Sequence, residues 1–592
     1  MVESDPPPLS SVHNEKSNTH SPFCLSFLSL RETMRRKTRP TFFAIVLFAV
    51  VTLRVSRTAV DIPWYSESNF TASTKVRQVV LDNNNIDLNQ YNHQTRRVSS
   101  VKDSVTTVSA LLPDWEILII VSPETPLSGE DYHCLFPNNA KTPAKYSGVL
   151  PFTNQTTFKC YMPESVRRRR MFNQPVLTKA SENESPSPTP ELLRWNFLVY
   201  ESFSTDSDVV LFAKGINPRR GTNRAPRELR CVFGDGVKSD VVRTPVTSTA
   251  QEIFRCPHPN TAELGFVDGE EKIKVSIEFI GQNLVVPSVA YYSPRFNLAK
   301  SQPNLLLCAC TMVYNVAKFL REWVMYHSKI GVEKFILYDN GSDDDLENTV
   351  KELNDEGYDV STFLWIWPKT QEAGFSHSVQ YLKDTCSWVM YMDVDEFVFD
   401  PTWENPWSND MLKSLLPRVT ASSSELEQRP GGIGQVLIKC YEFGPSGQRV
   451  HPVEGVTQGY TCRRQVDERH KSIVLLDAVD DSLLNVIHHF EMKEGFRSKQ
   501  MNGAVVNHYK YQAWPEFRNK FRRRVSAYVV DWREAGNPKS KDRTPGLGFE
   551  AVEPRGWTER FCEIKDERLK FLTQRWFGSE TREGYRMAWQ IR

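Results

Sequence analysis

Trp388-Val-Met-Tyr-Met392, followed by Asp393-Val394-Asp395-Glu396, is the stretch on which the reading of this chain turns. Five apolar residues without polar alternation suit a strand covered on both faces, as in a parallel sheet. Three carboxylates then follow within four residues. Upstream, strand and helix patterns alternate from about residue 303, which predicts an α/β layer fold. Leu305–Thr311 reads as a strand. Asn315–Ser328 reads as a helix, with Val316, Phe319, Leu320, Trp323 and Val324 on one face and Gly331 closing it. Lys334–Tyr338, a helix from Asp344 to Glu356, Val360–Trp365 and a helix across Phe375–Thr385 complete the alternation before Trp388.

Three of these strands end in polar residues, at Asn315, at Asp339-Asn340 and at Asp393–Glu396. Ligands of open α/β sheets sit outside the carboxyl ends of the strands. Magnesium or manganese bridging a diphosphate needs only one or two protein carboxylates, and Asp393 and Asp395 can supply them. Such a cation offsets charge on a leaving nucleoside diphosphate. Asp-x-Asp alone is weak evidence. Asp206-Ser-Asp208 and Asp343-Asp-Asp345 read as solvated loop or helix-start acids, and Asp393 as a simple turn cap is the bland alternative for the third pair.

The chain has 592 residues, too many for one core, since single cores stop growing near ~250–300 residues. Its 73 basic and 72 acidic residues leave net +1, which gives no reason to expect a nucleic-acid partner. Arg35-Arg36-Lys37-Thr38-Arg39 precedes the uncharged apolar run Thr41–Leu53. The run is short of the ~20 residues of a typical span, but Arg54 can snorkel and let a helix continue toward Val60. The basic block on the N-terminal side predicts a cytosolic N-terminus and a luminal bulk; a cleaved signal peptide is the rival. Of eleven cysteines, ten lie beyond this segment, which suits an oxidising lumen.

Residues 111–300 are β-like, with short runs such as Glu116–Val121, Val209–Phe212 and Lys274–Phe279 broken by Pro and Gly. Cys134-Leu-Phe leading to Phe158-Lys-Cys160 is echoed by Cys231-Val-Phe leading to Phe254-Arg-Cys256, and each copy follows a Trp-led strand. The echo predicts disulfides Cys134–Cys160 and Cys231–Cys256, tying strands of a β-sandwich. Cys440-Tyr-Glu-Phe-Gly-Pro-Ser-Gly447 followed by Cys462 reads as a disulfide-closed loop. Cys308 and Cys310 share one face of the first strand, with burial or pairing to Cys386 or Cys562 both open.

Cys308-Ala-Cys-Thr-Met-Val-Tyr-Asn315, Phe319-Leu-Arg-Glu-Trp-Val-Met-Tyr-His327, Ile336-Leu-Tyr-Asp-Asn-Gly-Ser342, Trp367-Pro-Lys-Thr-Gln371 with Ser376-His377, and Tyr391-Met-Asp-Val-Asp-Glu-Phe397 together resemble glycosyltransferase family 92. The resemblance covers roughly residues 300–580, and its plant members include β-1,4-galactan synthases. It implies a Rossmann-like GT-A fold, an inverting mechanism and a Golgi membrane location. It implies Asp339 at the uracil or ribose side of a UDP-sugar with Asn315 and Asn340 nearby, Gln371 and His377 along the donor, Asp393 at ribose or metal, and Asp395 on the metal. Family members often carry Asn-Glu after the first strand. Here Asn315-Val316 stands there, so no role passes to a Glu at that place.

GT-A enzymes often take a later His as a further metal ligand, and the placement of His508 at the end of Val505-Val-Asn-His508 favours it over His488 and His489. Alternation puts one of that pair inside and one outside. Lys510 and Arg522–Arg524 suit either phosphate contact or a solvated helix face. An inverting transfer needs a general base. Glu442, Asp467 and Glu491 are the candidates, and Glu491 joins Asp393 and Asp395 in the expected catalytic set.

The expected organisation is a disordered cytosolic tail (1–33), a signal-anchor transmembrane helix (34–60), a stem (61–110), a β-sandwich-like domain that binds carbohydrate or acts as a spacer (111–300) and a GT-A domain (301–592). The expected activity is transfer of a hexose, galactose by the resemblance, from a UDP-sugar to a polysaccharide or glycan acceptor such as β-1,4-galactan, with manganese as cofactor. A membrane and a second copy of the chain are the further partners considered. The alternatives are a non-catalytic lectin-like membrane protein and a transferase using another UDP-sugar.

Overall fold

The computed structural model describes most of residues 107–590; residues 1–106, 123–130, 180–187, 261–271, 295–302, 418–431, 527–552 and several shorter segments fall outside the described set. The expected tail and anchor, and nearly all of the stem, lie there. Among the described residues no helix is long and apolar enough to cross a membrane.

An eight-stranded mixed sheet forms the centre. In chain order its strands are β1 (Leu305–Val313), β2 (Lys334–Asp339), β3 (Val360–Leu364), β4 (Cys386–Tyr391), β5 (Glu396–Phe399), β6 (Gly432–Glu442), β7 (His470–Leu475) and β8 (Phe496–His508). Their spatial order is β3-β2-β1-β4-β7-β6-β8-β5. The first four run parallel. Helices α1 (Ala317–Lys329), α2 (Leu346–Asp355) and α3 (Gln371–Leu382) connect them, and the alternation expected over residues 303–392 is present element by element. The third helix starts at Gln371 rather than Phe375, after a turn in which the Thr370 hydroxyl bonds to the Trp367 carbonyl at 2.7 Å.

Strict alternation on β1 and β4 sends residues to two cores. Leu307, Ala309, Trp388 and Met390 face α1 and α2. Cys308, Cys310, Val389 and Tyr391 face the other way, onto Phe375, Val379 and Leu382 of α3. That second core is completed by the β-rich part: Leu118, Ile120, Leu198, Tyr200, Phe203, Val210 and Phe212 belong to it. His377 of α3 lies within it, fully buried. Its ring contacts Phe152, Phe203, Phe212 and Trp365, and Tyr338 Oη sits 2.8 Å from its Nδ1. A position along the donor, expected for His377, is therefore replaced by a packing role.

The β-rich part contains a seven-stranded sheet and, after residue 198, sheets of four and five strands. The latter two enclose one core, with Val209, Leu211 and Phe254 facing Phe233 and Ile277, and Cys231–Cys256 crosses between them. Cys134–Cys160 also forms, but within a single sheet, joining strands that flank Lys141–Val149. Two flat strand spacings would span about 9.5 Å, yet the two Cα atoms are 6.5 Å apart. The sheet folds over at the middle strand, whose first half pairs with one neighbour and second half with the other, with a bulge between Tyr146 and Gly148 in the second half.

Two further cystines are Cys308–Cys386, joining β1 to β4, and Cys462–Cys562. The loop reading of Cys440 with Cys462 is thus corrected. Cys440 sits on β6 facing the sheet interior and is buried and free, whereas Cys462 pairs across to a distant segment.

Phe212 has no exposed surface and touches Trp365 and His377. Phe212→Ala is expected to cost about 3–5 kcal/mol and to lower one unfolding transition shared by the β-rich and α/β parts. Calorimetry showing two transitions, with only one shifted, would contradict the shared core.

Candidate active site

The sheet order places β2 and β3 on one side of β1 and β4 on the other. The crevice between the ends of β1 and β4 is therefore a topological switch point, where α/β sheets bind ligands. Asn315 follows β1 and Asp393 follows β4.

One wall is built by the loops after β1 and β2. Asn315 adopts φ 52°, a left-handed conformation that Asn tolerates. Its amide bonds reciprocally with Asp343, Nδ2 to Oδ1 at 2.5 Å and Oδ1 from the Asp343 N–H at 2.9 Å. Asp339 Oδ1 accepts from the Ser342 N–H at 2.9 Å and hydroxyl at 2.6 Å. Asp344 Oδ2 accepts the Ala317 N–H at 2.9 Å, capping α1. The triplet Asp343–Asp345, expected as solvated or helix-start acids, is what ties the wall together. Asn340 turns inward and donates to the Trp365 and Trp367 carbonyls at 2.5 and 3.0 Å, so its side chain fixes the following loop. Asp208 of the other decoy pair is bound by Arg255 at 2.6 and 2.9 Å rather than solvated.

The opposite wall is the acidic motif. Gln371, the first residue of α3, donates to Asp393 Oδ1 at 3.2 Å. Lys471 of β7 places Nζ 3.0 Å from Asp393 Oδ2 and 2.6 Å from Glu396 Oε1, and 2.7 Å from His488 Nε2. The Asp393 N–H donates to Glu396 Oε2 at 2.9 Å. Glu396 has no exposed surface. Burial pushes its carboxyl up to about 8, with Asp393 and Asp395 adding to the push against Lys471. For Asp393, burial raises the carboxyl, but Lys471, His488 and His508 outweigh it and hold the group well below the usual range.

His508 ends β8, directly opposite Glu396 on one side and Glu442 on the other. Its Nδ1 lies 3.4 Å from Glu396 Oε1 and its Nε2 lies 3.7 Å from Asp395 Oδ2. Burial, opposed by Asp395, lowers its pKa to about 4, so the imidazole is neutral near pH 7. Two ligands about 2.1 Å from one cation lie roughly 3 Å apart at right angles and 4 Å apart when opposed. The Asp395–His508 separation fits that range, and a carboxylate behind the far ring nitrogen is the usual support of a metal-binding imidazole. Glu396, Cys440 and His508 are also the group of potential ligand atoms that converges within 4.8 Å among the described residues. Of these, the Glu396 carboxyl is pushed up and burial also raises the Cys440 thiol well above its usual value, so neutral His508 with Asp395 is the better donor set. Lys520 of α4 (Trp514–Ser526) reaches Asp395 Oδ2 at 2.6 Å.

Glu491 is exposed beyond the short strand His489–Phe490. Among the described residues no side-chain hydrogen bond or ion pair joins it to the acidic motif. Glu442 is paired with Lys510 and, at 3.4 Å, with Arg464, which commits Lys510 as well. His488 is buried and His489 partly exposed, as alternation predicts. Sequence reasoning missed Glu396, Lys471 and Lys520. Glu396 was visible as the fourth residue of the motif, whereas a lone Lys heading an apolar strand carries no signal of its partners.

An acidic motif at a switch point, backed by a neutral histidine and faced by a polar wall, is an arrangement that suits a nucleotide and a divalent cation. The profile of glycosyltransferase family 92 matches residues 304–543, the part of the chain that holds the sheet and the site. A family 92 protein of Oryza sativa subsp. japonica is 42% identical over 65% of this chain and 67% of its own length. One of Arabidopsis thaliana is 42% identical over 67% and 69%, and one of Ricinus communis 37% over 78% and 84%. The chain belongs to glycosyltransferase family 92. Among solved structures, Mycobacterium tuberculosis glucosyl-3-phosphoglycerate synthase in complex with Mn2+ and UDP aligns over 39% of this chain and 78% of its own, at 12% identity and a TM-score of 0.19. S. aureus TarS 1–349 aligns over 40% and 68%, at 11% identity and a TM-score of 0.21.

Lys471→Met leaves Asp393 and Glu396 facing each other without their shared cation. It is expected to cost about 3–5 kcal/mol, read as a lower denaturant midpoint, and adding Glu396→Gln is expected to restore part of the loss. An unchanged midpoint in Lys471→Met would contradict the assignment.

Proposed function

We propose that this chain transfers a hexose from a UDP-sugar, galactose by preference, to a hydroxyl of a polysaccharide or glycan such as β-1,4-galactan, with inversion. The observation that carries the reading is the approach of His508 Nε2 to Asp395 at the carboxyl end of the sheet, beside Asp393. Asp395 and His508 would hold a divalent cation, manganese by expectation. When bound, that cation supplies charge compensation for a departing diphosphate.

The remaining work falls to the chain. Gln371 and Lys471 fix the rotamer of Asp393 and keep it ionised, so that its carboxylate can face ribose or the cation. Asp339 has one oxygen engaged by Ser342, and its other oxygen would take the ribose or uracil side. Asn315 shapes the same wall through Asp343. His508 stays neutral and keeps its Nε2 lone pair toward Asp395. We place the protein in the Golgi membrane, as the family resemblance implies, and as a single-pass type II protein with this domain in the lumen, the orientation that the basic block before Thr41–Leu53 favours.

Asp395→Asn is expected to reduce manganese-dependent release of UDP from the donor by at least ~100-fold, the scale of losing one electrostatic contact to a developing charge. A screen of UDP-sugars against oligosaccharide acceptors, with linkage analysis of the product, identifies the sugar. Equal UDP release by wild type and Asp395→Asn would remove the metal assignment, and no release with any donor would favour a non-catalytic lectin-like protein.

A further inference from the structure

Lys214 lies in the β-rich part, on the strand Asp208–Lys214, far in sequence from the crevice. Its side chain is only 11% exposed. The ammonium is held 2.7 Å from Glu252 Oε1 and stands 5.3 Å over the Trp195 ring. Its third contact leaves the β-rich part altogether: Nζ donates to the Lys369 carbonyl at 3.0 Å. Tyr200 supports the arrangement from the other side, donating to Glu252 Oε2 at 2.8 Å and packing against Trp367 and Trp365.

Lys369 is the residue that most needs such a hold. It adopts φ 54°, a left-handed conformation that costs energy in a residue with a β-carbon and persists where neighbours over-determine it. The next residue, Thr370, accepts from Trp365 Nε1 at 2.8 Å and donates to the Trp367 carbonyl. The residue after that is Gln371, which donates to Asp393 Oδ1. One residue, Thr370, thus separates the residue whose carbonyl Lys214 grips from the residue whose amide sets Asp393. Asn340, from the loop after β2, binds the same turn through the Trp365 and Trp367 carbonyls. The turn 365–371 is therefore clamped from the nucleotide-side wall and from the β-rich part at once.

We infer that Lys214 is a positioning residue for the transferase site: the β-rich part, through the Lys214–Glu252 pair, sets the Lys369–Gln371 turn and so the orientation of Asp393. This rests on the proposed reading of Asp393 as a donor-side carboxylate. It gives the β-rich part a role in the active site that requires no carbohydrate binding of its own. Arg255 provides the comparison. It also joins the two parts, through Asp208 and through the Asp481 carbonyl at 2.6 Å, but touches nothing in the turn.

The test uses the full chain as Lys214→Met, Lys214→Arg, Arg255→Met, Gln371→Ala and the double variant Lys214→Met/Gln371→Ala. The first readout, amide hydrogen exchange over residues 367–374, needs no ligand. Exchange there is expected to rise in Lys214→Met, to stay near wild type in Lys214→Arg, and to stay unchanged in Arg255→Met even where its melting temperature falls as far. The second readout is equilibrium binding of UDP with manganese. Lys214→Met is expected to weaken it about tenfold, the scale of a sub-ångström misplacement of a contact group, and the double variant to bind no worse than Gln371→Ala. Equal effects of Lys214→Met and Arg255→Met on exchange would overturn the inference, because the interface would then act only through stability. Additive losses in the double variant would overturn it too. If the wild type binds no UDP with manganese, the proposed function fails, and the exchange comparison still decides the link from Lys214 to the turn.

Discussion

The Lys471 ammonium joins the two halves of the site. It comes from β7, an antiparallel strand, and reaches the end of the parallel strand β4, where it lies between Asp393 and Glu396. Burial alone would drive a lysine toward its neutral form; here the two carboxylates outweigh burial and raise its pKa, so it stays charged. With that charge in place, Asp393 stays ionised, Glu396 can sit without exposed surface, and His508 finds a carboxyl group behind its Nδ1. The two halves of the sheet are themselves joined by the backbone ladder between β4 and β7, and Lys471 extends that seam into the site with its side chain.

The second constraint is what covers the sheet. One face is closed by α1 and α2, and α1 also fixes the strand after the acidic motif: Trp323 Nε1 donates to the Glu396 carbonyl at 3.0 Å and the Tyr326 hydroxyl to the Val398 carbonyl at 2.6 Å. On the other face α3 is joined by strands of the β-rich part, which supply much of the apolar cover. An interface of that kind resembles a core more than a contact between independent modules. It explains why His377, beside a polar helix start in the sequence, ends among aromatic rings.

Much of the α/β part was legible. Bare apolar runs marked β1 and β4, and the one-sided helix at Phe319, Leu320, Trp323 and Val324 marked α1, because burial on two faces or one leaves a period in the sequence. The Cys134–Cys160 and Cys231–Cys256 bonds were legible from their echo. Gln371 reaches Asp393 and His508 approaches Asp395, while Asn315 and Asp339 lie at the ends of the adjacent strands β1 and β2, since all follow or precede sheet elements. Contacts made across the fold were not legible. Cys440 looked paired with nearby Cys462 because sequence proximity says nothing about which strand carries each. Lys471 and Lys214 looked like ordinary strand lysines, and Asn340 looked like a ligand contact when its amide is spent on the next loop.

The central claim is that Asp395 and His508, with Asp393 beside them, form one cation and diphosphate site. Anomalous diffraction from crystals grown with manganese and UDP tests it most directly. The account predicts one peak about 2.2 Å from an Asp395 carboxylate oxygen and from His508 Nε2, with the diphosphate on its open side and the nucleoside toward Asp339. A peak on Glu396 and Cys440 alone, or nucleotide bound with no manganese at Asp395, would contradict it.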